Sequence, residues 1–385
     1  MKVVIIGSGI AGLSAAIALR KAGLQVVVYE RAPRLTEVGA GISLWSNALR
    51  ALDKIGAGAD IRERIEPLRR SEFRGNDGFL VAASFPASKL EAALGYRPVI
   101  GMLHRAELVE SLAGCLPDNV ARYGYEALTV RDSGEQVEVE FSNGHREVSD
   151  LVIGADGIHS KIRSLLLDSS PPRYSGYTCF RGVTKLPSSI EPGYLGEWWG
   201  RGCRIGITTL SHQRVYWWAT INTPQNFRVE DKRSWICDKF CCWAEPVPEL
   251  LSSTPADAFF QNDIIDRVPN RNWYRGRCLL IGDAAHPTTP NLGQGGCLAI
   301  EDAACLYYLF SNSSTLDDIL PAFVKLRYAR ASAINRDSKR LGRTGQWSGK
   351  VACLIRNAFV KLALPIFGVN EILRHARNVD RFLVE

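Results

Sequence analysis

The chain has 385 residues, 46% hydrophobic and 23% charged, with a net charge of +7. That is enough chain for a sizeable core and two joined domains, and the basic excess reads as a mildly basic surface or a field that draws in an anionic cofactor. No Lys/Arg block interleaved with aromatics points to nucleic acid, and ten scattered cysteines without a CxxC pair argue against zinc, any other metal centre or a disulfide scaffold.

Val3 to Ile6 is short, β-branched and continuously apolar, which predicts a buried parallel strand. Gly7 to Gly12 is a turn, Leu13 to Ala22 an alanine-faced helix stopped by Gly23, and Gln25 to Tyr29 a second strand. Asn47 to Ile55 and Arg105 to Leu116 read as helices, with Gly56-Ala57-Gly58 as a helix terminator. Residues 127 to 148 alternate apolar and polar, as an antiparallel ribbon does, and Leu151 to Ile153 returns to a buried strand. From Pro172 to Asn272 the texture turns aromatic and β-branched, predicting an antiparallel sheet with one covering helix near Trp235 to Trp243. Arg277 to Ile281 is again a buried strand, and Gln294 to Phe310 and Asp317 to Leu341 are helices.

Three motifs carry the chemistry. Gly7-Ser8-Gly9-Ile10-Ala11-Gly12 follows a strand and opens a helix, the context in which backbone N–H groups and the helix dipole receive a pyrophosphate. Gly7 allows the tight turn, Gly9 the close approach and Gly12 the helix–strand packing. Glu30, ending the second strand, suits the hydroxyls of an adenosine ribose. Asp156-Gly157 follows the strand ending at Ile153, and Asp283 follows Cys278-Leu279-Leu280-Ile281-Gly282; each carboxylate also suits a turn or a helix cap. After Asp283, Pro287, Pro290, Gly293, Gly295 and Gly296 make a stiff then permissive loop ending at a helix. A helix N-terminus there would stabilise negative charge on a reduced flavin ring.

Taken with VGAGISLWSNA at 38–48 and HRAEL at 104–108, GSGIAG, GADGIHSKIR and GDAAHPTTPNLGQGGCLAIEDA make residues 1 to 340 resemble the class A FAD-dependent monooxygenases, the para-hydroxybenzoate hydroxylase-like group. The resemblance implies an α/β fold: a Rossmann-like FAD-binding domain with an inserted antiparallel-sheet substrate domain and C-terminal helices. The FAD-binding domain is discontinuous over 1–72, 100–171 and 273–345, the substrate domain takes 73–99 and 172–272, and 346–385 form a helical segment. It implies that FAD is held by Gly7, Gly9, Gly12, Glu30, Arg31, Ala40, Gly41, Ser43, Arg105, Asp156, Asp283, Pro290, Gly293, Gln294, Gly295, Gly296 and Cys297. It also implies NADPH or NADH as electron donor, with no second dinucleotide fold, and O2 as co-substrate. The family activity is transfer of one oxygen atom, through a flavin C4a-hydroperoxide, to a small-molecule aromatic or heteroaromatic ring or to an alkene. A geranylgeranyl-reductase-like FAD enzyme, saturating an isoprenoid, is the alternative.

Arg204 and Tyr216 are predicted on adjacent strands and resemble the Arg and Tyr that urate hydroxylases direct into their active site, so they are the candidate catalytic pair. Thr178 stands where those enzymes carry an amide, which speaks against urate. Trp198, Trp199, Trp217 and Trp218 are expected to pack as core or to wall the flavin off from water. His104 and His286 lie inside cofactor motifs and are expected to be structural or flavin-adjacent.

Val351, Leu354, Ile355, Ala358, Phe359 and Leu362 fall on one face of a C-terminal helix decorated with Lys350, Arg356 and Lys361. Packing on the protein itself is the ordinary outcome, and weak peripheral contact with a membrane the alternative. No run of eighteen uncharged apolar residues occurs, and Met1-Lys2 leads straight into the first strand. The expectation is a cytoplasmic monomer or homodimer without a signal peptide or transmembrane span.

Overall fold

The β-branched run Lys2–Ile6 is buried on both faces and pairs in parallel with Gln25–Glu30 on one side and Leu151–Gly154 on the other. In the computed structural model, which describes residues 1–35, 40–83, 87–313 and 315–377, these strands are the centre of a six-stranded sheet. Cys278–Leu280 extends it in parallel beside Leu151–Gly154, Tyr274–Arg275 adds an antiparallel edge, and Ala121–Tyr123 closes the other side. The helices Ile10–Lys21 and Gly295–Asn312 bury small residues against the sheet and each other, because alanine and glycine let helices approach closely. The fold is α/β with a Rossmann-like FAD-binding core.

A three-stranded antiparallel sheet covers 127–149, as the alternation predicts. The aromatic region forms a seven-stranded sheet ordered Phe260–Asp266, Arg173–Lys185, Arg214–Asn222, Cys203–Leu210, Tyr194–Trp199, Arg70–Gly75, Leu80–Ala83. Two expectations are corrected here. The sheet is not wholly antiparallel, since Tyr194–Trp199 runs parallel to Arg70–Gly75. Two helices cover its outer face rather than one: Lys232–Phe240 and the short Val247–Ser253, whose Pro248 and paired serines disguise it as a loop. A small sheet of Gly41–Trp45, Ile100–His104 and Glu66–Pro67 lies between the two large ones.

Strand alternation sorts the tryptophans. Trp198 and Trp217 point to the outer core with Phe180 and Phe240, and Trp217 Nε1 donates to Thr254 Oγ1 at 2.9 Å. Trp218 points the other way, toward the FAD-binding side, lying across Gly206, where a Cβ would meet its ring at 2.0 Å.

Two long helices close the described residues, Leu316–Gly345 and Lys350–Arg377. The expected packing of the last helix is corrected: Val351, Leu354, Ile355, Phe359 and Leu362 are all 60–70% exposed. Its inner face instead seats Cys353 and the buried Arg356, whose guanidinium donates to Gly345 O and Gly200 O, both at 3.1 Å.

Candidate active site

The first turn is fixed by sterics. A Cβ at Gly12 would lie 1.9 Å from Gly7 O, and one at Gly7, whose φ is +108°, would lie 2.6 Å from Ala155 O. Gly9 is different: nothing lies within 4 Å of its Cβ position, which opens a space directly at the N-terminus of Ile10–Lys21. That is room for a pyrophosphate on unpaired N–H groups. Glu30 sits beside it, accepting from Ser8 N and Ala32 N, both at 2.9 Å. Arg31 follows on the surface. Val38 and Gly39 of the quoted 38–48 segment lie outside the described residues.

Asp283 is exposed and makes no hydrogen bond to protein among the described residues. Crowding on its other sides raises its carboxyl pKa, while His286 and Arg105 pull it down. Arg105 is the first residue of the helix Arg105–Gly114. An exposed carboxylate acceptor suits the hydroxyls of a ribityl chain. Asp156 is engaged differently: it accepts from Ser160 Oγ at 2.5 Å, Lys161 N at 2.7 Å and Ile162 N at 3.1 Å, capping Lys161–Leu166. Burial nevertheless raises its pKa.

Pro290–Leu292 is one 3-10 turn, Gly293 takes a left-handed φ of +63°, and Gly295 begins the following helix, with Gln294 as its cap. Ser43 Oγ donates to Gly293 O at 3.1 Å, and Cys297 Sγ contacts Ser43 O at 3.6 Å. Ile42 packs against Gly296, so Gly41–Trp45 and the 290s loop are one wall. Asn47 Nδ2 ties Gln294 Oε1 at 3.1 Å to Glu301 Oε1 at 2.6 Å.

Beneath this lies a buried charge cluster. Arg327 reaches Asp302 at 2.8 Å and Glu301 at 2.7 Å, Arg330 grips both Glu301 oxygens, and His286 Nε2 lies 2.7 Å from Asp302. Asp302 also accepts from Gly282 N at 2.9 Å, so the cluster orients the turn that carries Asp283. His286 is therefore a structural partner. His104 is half-buried, and burial, reinforced by Arg214, lowers its imidazole pKa.

Arg204 and Tyr216 share the inward face of the seven-stranded sheet, but four positions apart: Arg204 pairs with Thr220 and Tyr216 with Thr208. Arg204 is buried and engaged on several sides. It donates to Thr220 Oγ1 at 3.1 Å and to Asn291 Oδ1, and lies 3.6 Å from Glu197. Asn291 in turn donates to Tyr177 OH, Thr289 Oγ1 and Ser338 O. Tyr216 packs on Gly41, where a Cβ would meet its ring at 2.4 Å, and stacks on Trp218 with centroids 5.5 Å apart. Its hydroxyl makes no hydrogen bond among the described residues. Burial raises its pKa, and Arg181 pulls the other way.

Arg181 was not singled out by the sequence reading. It pairs in register with Trp218, its Nε touches Cys179 Sγ at 3.4 Å, and no carboxylate faces it among the described residues. The Cys179 thiol keeps its pKa high, so it is a standing cation beside Tyr216. Asn291 was missed too, though it lies in the quoted PTTPNLGQGG run, because a loop residue gives no periodic signal.

Residues 1–169 and 261–335 match the FAD binding domain family. Aurachin C monooxygenase/isomerase of Stigmatella aurantiaca is 37% identical over 363 residues, 94% of each chain. The 2-heptyl-3-hydroxy-4(1H)-quinolone synthase of Pseudomonas aeruginosa is 34% identical over 372 residues, again 94% of each. HpxO of Klebsiella pneumoniae, solved with FAD and uric acid, superposes with a TM-score of 0.92 at 28% identity, covering 98% of this chain and 97% of that one. The chain belongs to the class A FAD-dependent monooxygenases, with FAD as cofactor and NAD(P)H and O2 as co-substrates. Among the described residues no helix is long and apolar enough to cross a membrane, and no cluster could hold a metal ion.

Proposed function

We propose that this monooxygenase hydroxylates a flat heteroaromatic ring of the quinolone type, one that carries a carbonyl or enolate oxygen and an apolar chain. The observation that carries the reading is the diagonal placement of Arg181, opposite Trp218, and Tyr216, opposite Val183, on neighbouring strands, with the Tyr216 hydroxyl making no hydrogen bond among the described residues. A cation and a phenol side by side suit one anionic or carbonyl oxygen, and an indole face suits a flat ring. Met102, Leu210 and Val183 offer apolar surface to a chain. The relatives that span nearly the whole chain include a quinolone synthase and a monooxygenase, which favours oxygen transfer over isoprenoid reduction.

When bound and reduced by NAD(P)H, FAD would activate O2 so that one oxygen atom passes to the substrate and the other leaves as water. The protein divides the remaining work between a discontinuous FAD unit and the inserted sheet. Gly7, Gly9, Gly12, Glu30, Arg31, Arg105, Asp156 and Asp283 hold the dinucleotide, while Ala40, Gly41, Ser43 and the 290–297 loop, with Pro290, Gly293, Gln294, Gly295, Gly296 and Cys297, flank the ring. Arg181 and Tyr216 orient the substrate. Arg204 acts through Asn291 as a positioning residue, fixing the loop against the sheet. Cysteines scattered without a CxxC pair fit a reducing cytoplasm, and the enzyme works as a monomer or homodimer whose last helix touches a membrane surface.

The test is anaerobic flavin bleaching by NADH or NADPH across urate, hydroxybenzoates, quinolones and isoprenoids. Acceleration by quinolones supports the reading. Acceleration by urate or isoprenoids alone, or equal rates with every ligand, overturns it. Arg181→Met is expected to raise the quinolone concentration for half-maximal acceleration by roughly ten- to hundred-fold, the worth of a charge-assisted hydrogen bond. Arg204→Ala is expected to leave FAD retention intact and divert NAD(P)H oxidation from product to hydrogen peroxide. Unchanged coupling in that variant would remove Arg204 from the mechanism.

A further inference from the structure

The last helix has its amphipathicity inverted relative to a core helix. Its buried side holds Arg356, 2% exposed, with the guanidinium 5.0 Å from the Trp199 ring centroid. Its outer side carries Val351, Leu354, Ile355, Phe359 and Leu362, which recur on one helical face and are 60–70% exposed. Just before it, Trp347 is 39% exposed. Phe79 and Leu80, at 61% and 41%, stand on the hairpin packed beside this helix, and Lys361 Nζ lies 5.7 Å from the Phe79 ring centroid. The stripe and the hairpin tip thus form one apolar patch, far more contiguous than scattered surface hydrophobics.

Its charge is one-sided. From Ser338 to Asn370 the sequence has no Asp or Glu, yet holds Lys339, Arg340, Arg343, Lys350, Arg356 and Lys361. Arg340, Arg343, Lys350 and Lys361 are exposed and have no carboxylate partner among the described residues. A second copy of this chain would bring like charges together across a two-fold interface. An anionic lipid surface offers both an apolar interior for the stripe and negative headgroups for the rim.

We propose that the outer face of the helix from Val351 to Leu362, together with the Phe79–Leu80 tip, docks on the surface of an anionic bilayer. This rests on the peripheral contact in the functional reading above but not on the substrate's identity. Trp347 joins the patch to an open groove of about 580 Å³, also lined by Tyr177, Asn222, Thr223, Arg343 and Gln346. Docking therefore holds this groove near the lipid.

The FAD-loaded enzyme is floated with vesicles of phosphatidylcholine alone or mixed with phosphatidylglycerol. Binding is expected on the anionic vesicles, falling several-fold when salt is raised from about 0.1 to 0.5 M, and at least about ten-fold in Leu354→Glu/Phe359→Glu. Phe79→Ser and Lys350→Glu/Lys361→Glu should each weaken it, with flavin content and quinolone-accelerated reduction in solution unchanged. Equal binding to both vesicles, retention of binding in the double glutamate variant, or no binding with concentration-dependent dimerisation in sedimentation overturns the proposal. The solution reduction assay reads the active site separately, so loss of docking and failure of the substrate assignment are distinguishable.

Discussion

Gly12→Ala is expected to yield protein without flavin. The added methyl would fall 1.9 Å from Gly7 O, a backbone atom that cannot swing aside. Either the helix Ile10–Lys21 backs away from the sheet or the turn opens, and each removes the N–H groups from the pyrophosphate. Overpacking of this kind costs roughly 3 kcal/mol, so the melting temperature should fall along with the visible absorbance retained after desalting. Gly9→Ala separates the two effects. Its Cβ meets nothing within 4 Å, so the apoprotein should melt as the parent does while FAD affinity falls. If Gly12→Ala keeps its full flavin, or Gly9→Ala binds FAD normally, the placement of the pyrophosphate is wrong.

Arg327→Met is expected to be the most destabilising single change at neutral pH, at about 3–5 kcal/mol, because it strands buried carboxylates rather than merely removing a contact. Glu301 and Asp302 are fully buried, and burial alone would raise their pKa values. Arg330 and Arg327 overcome this for Glu301, and His286 and Arg327 for Asp302, so both are lowered. A depressed carboxylate pKa stabilises the fold above the unfolded value, near 4, and that contribution fades as pH falls through the folded value. Without Arg327 the depression shrinks, so the gap between parent and variant should narrow from pH 7 toward pH 4. Chemical denaturation at several pH values measures it. A gap that stays constant, or widens on acidification, would show that these carboxylates do not govern the loss.

Much of the FAD side is legible from sequence because its requirements are local. A four-residue apolar run, a glycine that tolerates no Cβ and a helix start are consecutive in the chain; Lys2–Ile6 forms where the pattern puts it, and the helix expected from Leu13 begins three residues earlier, at Ile10. The substrate side is less legible because it is assembled across the sheet. Arg181 and Tyr216 come to diagonal positions only through the register of two strands, with Trp218 opposite Arg181 and Val183 opposite Tyr216, and nothing near Arg181 in sequence distinguishes it from a surface arginine. Arg204 was visible, but not that Asn291, Thr220 and Glu197 occupy its guanidinium. The last helix shows the limit of periodicity. Its stripe is readable, but whether a stripe faces inward depends on what the other face is tied to, here Arg356 on Gly345 and Gly200.

The parallel pairing of Arg70–Gly75 with Tyr194–Trp199 bears on how substrate preference could be transplanted between relatives. The seven-stranded sheet is woven from two stretches of chain, 70–83 and 173–266. A graft of the longer stretch alone would lay a foreign edge strand against a resident one, with mismatched side chains along six register positions from Tyr194 to Trp199. Recombination at this seam should therefore succeed when both pieces travel together, which makes the short hairpin part of the heritable unit of specificity although it lies ninety residues upstream.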